Sequence, residues 1–167
     1  MATRKRPARR TVLPRGPRKK KTAGRNSAAA AKLGRRRRDP ETLRLRSFEP
    51  GFTVNDLDRS VRFYTDVLGF ILSDQWTDGG VLRGVVLTAG VCDLNLSQDD
   101  WAKGRDRKKG EGVRLWCKTA QDIDILARRI RSAGEPLAEE PKDQPWGVRS
   151  LSVDDPDGFH LTIYRER

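Results

Sequence analysis

Histidine occurs once in these 167 residues and cysteine twice, and the scarcity of both removes whole classes of chemistry. A zinc finger needs four thiolate or imidazole ligands at fixed spacing, which this chain does not supply. A catalytic triad or a Cys-His pair would have to be built around His160 alone. Cys92 and Cys117 stand apart in short apolar runs, without a Cys-x-x-Cys pair, so buried reduced thiols are expected rather than a disulfide or a metal site. Long hydrophobic runs are missing too. No window approaches the roughly 18 consecutive apolar residues that cross a bilayer, and the N-terminus lacks the apolar core of a secretory signal. No membrane partner is expected, and the chain should stay soluble and cytoplasmic.

Acidic residues are nearly absent from the first quarter of the chain. Met1 to Arg46 holds 18 basic and 2 acidic residues, whereas Ser47 onward holds 17 basic and 21 acidic, so a net +16 precedes a net −4. The average charge of +12 therefore describes an appendage, and the remainder is a mildly acidic domain with no general affinity for nucleic acid. Residues 1–46 carry too little apolar surface to offset ordering entropy, and they read as a disordered polybasic tail. The cations cluster at Arg4, Lys5 and Arg6, at Arg9 and Arg10, at Arg18, Lys19, Lys20 and Lys21, and at Arg35, Arg36, Arg37 and Arg38. Intervening prolines and glycines keep the clusters extended. Such a polycation binds nucleic acid by displacing counterions, with strong salt dependence and little sequence choice, which would place the protein at the nucleoid. No aromatic interleaves the charges, so base stacking has no platform. A solubilising leader and a targeting or anionic-membrane segment are the competing readings.

From Ser47 the periodicity changes. Phe52-Thr53-Val54 is a strand pattern closed by Asn55 and Asp56, after which Leu57, Val61, Tyr64 and Leu68 recur at helical spacing until Gly69. Phe70 to Leu72, Val81 to Leu87 and Val91 to Leu96 read as three strands separated by Gly-containing turns. The same βαβββ order returns: a strand at Val113 to Lys118, a helix from Asp122 to Gly134, and strands near Pro136-Leu137, at Val148 to Val153 and at Phe159 to Tyr164. The repeat predicts an α+β fold in which two βαβββ modules, about 47–98 and 112–167, form a pseudo-symmetric domain whose two sheets pair. Residues 99–111 form a charged linker between them, in which Trp101 is a large aromatic among charges.

These residues resemble the vicinal oxygen chelate superfamily, which includes glyoxalase I, extradiol dioxygenases and bleomycin-resistance proteins. The resemblance is carried by Val54-Asn55-Asp56-Leu57-Asp58-Arg59-Ser60-Val61-Arg62-Phe63-Tyr64, Val67-Leu68-Gly69-Phe70, Trp146-Gly147-Val148-Arg149 and Asp155-Pro156-Asp157-Gly158. It covers about Phe48 to Arg165. It implies a cupped mixed sheet around a ligand cavity with the helices outside, with Trp101 expected to anchor the linker over the cup or at a dimer contact, and in many members a divalent metal held at four positions. Those positions fall at Glu49, Asn95, Val113 or Arg114, and Thr162, of which Glu49 alone is a good hard ligand. Glu49, Asn95 and His160 are the remaining metal candidates, so no cofactor is expected unless the protein is an enzyme.

Strand alternation supports such a cup. Leu94 and Leu96 oppose Asp93 and Asn95, and Leu161 and Ile163 oppose His160, Thr162 and Tyr164. The expected ligand pocket therefore holds Glu49, Thr53, Asp93, Asn95, His160, Thr162 and Tyr164, with Arg114 and Trp116 if Val113, Leu115 and Cys117 face the core; Arg149, after Trp146-Gly147, is a further candidate, with an ion pair to Asp154 or Glu140 as the competing reading. A one-residue slip of that fifth strand would exchange the whole set. The preferred reading is a metal-free binder of a small organic ligand, acting as a homodimer. The alternatives are a metal-dependent lyase, isomerase or dioxygenase with Glu49 as general base, and a nucleic-acid-associated protein acting through its tail.

Overall fold

The computed structural model describes Leu43 and residues 45–167, so the basic clusters between Arg4 and Arg38 lie outside the described residues. Arg46–Arg167 forms one compact unit. Its elements run β1 (Gly51–Val54), α1 (Leu57–Arg62) continuing as a π-helix (Phe63–Leu68), β2 (Ile71–Asp78), β3 (Val81–Ala89) and β4 (Cys92–Gln98). The second copy runs β5 (Arg114–Lys118), α2 (Ile123–Ser132), β6 (Glu139–Asp143), β7 (Val148–Asp154) and β8 (His160–Glu166). They build two four-stranded mixed sheets, ordered β1-β4-β3-β2 and β5-β8-β7-β6, each with one parallel pair at its edge. Among the described residues no helix is long and apolar enough to cross a membrane.

Local chemistry explains the helices. Asp56 and Asp122 are extended N-caps whose carboxylates accept from the amides of Arg59 and Ile125, three residues on. Gly69, at φ 84°, closes the first helix in the left-handed region. The helix is α for only its first half. Thr65 Oγ1 donates to the Val61 carbonyl at 2.9 Å, and the ladder widens to π geometry over this stretch.

One face of each sheet packs with the helices into a shared core containing Val54, Tyr64, Leu87, Leu96, Ile130 and Leu161. Phe52 and Phe159 stack between the two modules with centroids 3.8 Å apart. The turn Asp155-Pro156-Asp157-Gly158 reaches across as well. Asp155 accepts from the Tyr64 hydroxyl at 3.1 Å, and Asp157 accepts from the Asn55 amide at 3.1 Å. Burial raises the Asp155 carboxyl above its ordinary range.

Two sequence expectations need correction. The sixth strand lies at Glu139–Asp143 rather than near Pro136-Leu137, because an edge strand tolerates Pro141 and needs no alternating apolar pattern. Cys92 is exposed rather than buried, since it opens β4 at the turn from β3, beyond the stretch that β1 covers; Cys117 is half-buried, and burial raises its thiol to about 11.

Candidate ligand-binding cup

The open face of the second sheet is concave and encloses about 660 Å³, within the range that small organic ligands occupy. Register decides what lines it. Parallel pairing sets Arg114 beside His160, Trp116 beside Thr162 and Lys118 beside Tyr164, so Arg114 and Trp116 face the cavity while Leu115 and Cys117 pack against the core. Antiparallel pairing continues these rows through Asp154, Ser152 and Ser150 of β7. The fifth-strand ambiguity is thereby resolved in favour of Arg114 and Trp116.

Two tryptophans form the walls. Trp116 is 55% exposed and meets the Tyr164 ring edge-on at 6.0 Å, and Trp146, in the β6–β7 turn, is 63% exposed. The floor is polar and internally bonded. Ser152 Oγ donates to Glu139 Oε2 at 3.0 Å and lies 3.2 Å from Thr162 Oγ1, while Gln144 Nε2 donates to Ser150 Oγ at 3.1 Å. Glu140, on the rim, is paired with Arg131. Among the described residues neither Arg114 nor Lys142, both lining the cavity, has a carboxylate within 4.0 Å.

The structure brings together only part of the expected pocket. Arg114, Trp116 and Thr162 line the cavity, and Tyr164 supports Trp116 from beside it. His160 Nδ1 lies 2.6 Å from Asp154 Oδ1, and its Nε2 is buried with no hydrogen-bond partner among the described residues, outside the cavity lining. Arg149 is displaced to the opposite side of the sheet, because a one-residue step along β7 reverses the face. There it is held bidentately by Asp124 at 2.7 and 2.8 Å and by Asp143 at 3.0 Å, which keeps the guanidinium charged and both carboxyls below their ordinary range. Glu49, Thr53, Asp93 and Asn95 belong to the first sheet or its approach and do not line this cavity. Trp101 is occupied inside the linker, with Arg105 and Lys109 at 4.7 and 5.2 Å from its ring centroid.

Sequence reasoning missed the contributions of β6, Glu139 to Lys142. No apolar alternation marks that strand, and the sequence pattern points to a sixth strand a few residues earlier, near Pro136-Leu137.

The donors at the family-like metal positions do not fit a tight divalent site. Arg114 would repel a cation, Thr162 is buried against Ser152, and Glu49, before β1, and Asn95, on the first sheet, are on the other module from His160. Among the described residues no three His, Cys, Asp or Glu side chains gather into a ligand set.

The model of the Glyoxalase/Bleomycin resistance protein/Dioxygenase superfamily matches residues 46–163. A probable lactoylglutathione lyase of Synechocystis sp. is 29% identical over 119 residues, covering 66% of this chain and 87% of that protein. The glutathione transferase FosA of Serratia marcescens is 27% identical over 112 residues, covering 66% of this chain and 74% of its own. Among solved structures, the antibiotic-binding protein TnmS3 of a Streptomyces species superimposes with a TM-score of 0.59 at 22% identity, covering 76% of this chain and all of that one. With its repeated modules, its cup and a family match over most of its length, the chain belongs to the glyoxalase/bleomycin resistance protein/dioxygenase superfamily.

Proposed function

We propose that this protein binds a small organic ligand in the cup of its second sheet, without a metal, in the manner of the bleomycin-resistance branch of its superfamily. The observation carrying this reading is the cavity lining: two exposed tryptophans and an Arg114 without a carboxylate partner among the described residues occupy a site where metal chemistry would require anionic or imidazole donors. Sequestration needs affinity alone. Elemental analysis of the purified full-length protein, before and after exposure to Zn²⁺, Ni²⁺, Mn²⁺ and Fe²⁺, is expected to return well under one equivalent of each. One equivalent of metal that disappears in Glu49→Ala or His160→Ala would instead support a metal-dependent lyase, the class named for the Synechocystis relative.

The active form is proposed as a homodimer. Ile71, Leu72 and Trp76 are exposed along β2, an outer strand of the first sheet, and a second copy would remove that apolar surface from water. Light scattering at micromolar concentration is expected to give twice the chain mass; a monomer throughout the range would end this part of the reading.

A second reading adds to the first. The 18 basic residues before Ser47 favour salt-dependent, sequence-independent association with nucleic acid, independent of what the cup holds.

A further inference from the structure

Resting on the reading of the cup as a ligand site, we propose that its ligand is a flat, conjugated organic anion, with its ring against Trp116 and its acid group at Arg114. The argument starts from the charges that remain after internal pairing. Arg131 neutralises Glu140 at the rim, and Lys118 is paired with Glu166 at 2.6 Å. Glu139 is engaged by the Ser152 hydroxyl. Arg114 and Lys142 then stand as two cations without carboxylate partners among the described residues, against the single Glu139 carboxylate. A cavity poised this way favours an incoming anion and disfavours a cation.

Geometry narrows the class further. Arg114 and Trp116 are two residues apart on one face of β5, a separation of about 7 Å along the strand. A ring stacked on Trp116 therefore carries an attached carboxylate or sulfonate to the Arg114 guanidinium, whose fork donates to such groups bidentately. Trp116 is held by the edge contact from Tyr164, so the platform exists before a ligand arrives. Lys142 stands on β6, separated from β5 by two strands, and receives a second polar substituent at the far rim. The two large exposed indoles supply apolar area that a saturated or spherical ligand covers less completely.

The test uses three probes against the full-length protein at 150 mM salt: 2-naphthoate, the 2-naphthyltrimethylammonium cation, and saturated decahydronaphthalene-2-carboxylate. The saturated acid also reports any anion binding by the basic tail, which does not distinguish flat from puckered rings. Titration followed by the indole N–H resonances is expected to show 2-naphthoate binding at least tenfold more tightly than either other probe, with shifts at Trp116 and Trp146. Arg114→Gln is expected to lower that affinity about tenfold with the melting temperature unchanged, and Trp116→Ala to lower it as far. Equal or tighter binding of the cation or of the saturated acid, with shifts at the same two indoles, overturns the ligand class while leaving the cup as a site. Absence of shifts at Trp116 and Trp146 with all three probes overturns both.

Discussion

Asp155→Ala is expected to lower the melting temperature by about 15 °C, the largest single-residue effect in this domain away from its apolar core. The Asp155 carboxylate is buried and accepts from three donors: the Tyr64 hydroxyl at 3.1 Å, the Phe159 amide at 2.9 Å and the Asp157 amide at 2.9 Å. Truncation strands the first two inside the protein, at about 1–3 kcal/mol for each buried orphan. A total near 4 kcal/mol, divided by the unfolding entropy of a domain of about 120 residues, gives the expected shift. Asp155→Asn separates hydrogen bonding from charge. Its amide oxygen still accepts from both backbone amides, so it should lie within about 1 kcal/mol of the parent. The pH response carries the sign of the shift. Burial raises the folded Asp155 carboxyl above its unfolded value, so this group's contribution is full below the ordinary carboxylate range and is lost as pH rises through the raised value. Asp155→Asn should flatten that part of the stability profile, as calorimetry from pH 3 to pH 7 would show. An alanine variant melting within a few degrees of the parent would mean that the clasp between the modules is incidental.

Deleting residues 1–46 is expected to abolish association with duplex DNA while leaving the melting temperature of the domain in place. The net charge changes from +12 to −4, so the repulsion between a mildly acidic domain and phosphate replaces attraction. A tail engaging about eight phosphates loses about 10⁴-fold in affinity between 50 and 200 mM salt, and the full-length protein should follow that steep logarithmic dependence. Random-sequence and specific duplexes should bind alike, because without interleaved aromatics the tail has no platform for stacking on bases. Anisotropy titrations at several salt concentrations give both the affinity and the slope. Retention of binding by the truncated chain, or indifference of the full-length protein to DNA at 50 mM salt, would remove nucleic acid from its partners.

The repeat was legible because its signals are local. Asp56-Leu57-Asp58 and Asp122-Ile123-Asp124 each place a capping carboxylate before a helical apolar stripe, and the structure puts N-caps at Asp56 and Asp122. Strand faces were equally legible where apolar residues alternate, as at Leu94 and Leu96, both buried. The turn Asp155-Pro156-Asp157-Gly158 could be recognised as a turn from Pro and Gly, but the partners of its two carboxylates could not. Tyr64 and Asn55 lie about a hundred positions earlier, and nothing local marks the pairing.

Composition and periodicity by themselves determined the separation of a basic segment from a mildly acidic domain and the two βαβββ modules, and the motifs around Asn55, Gly69, Trp146 and Pro156 carried the family resemblance. Only the tertiary structure decided which faces meet. Arg149, in sequence a candidate for either a ligand or an ion pair, is turned to the far side of β7 and held by Asp124 and Asp143, whereas Glu139 and Lys142, unremarkable in sequence, line the cup. The reason is the two-residue period of a strand combined with pairing register. Alternation states that neighbours point to opposite faces, but which of those faces becomes a cavity depends on strands distant in sequence, and is specified only when they pack.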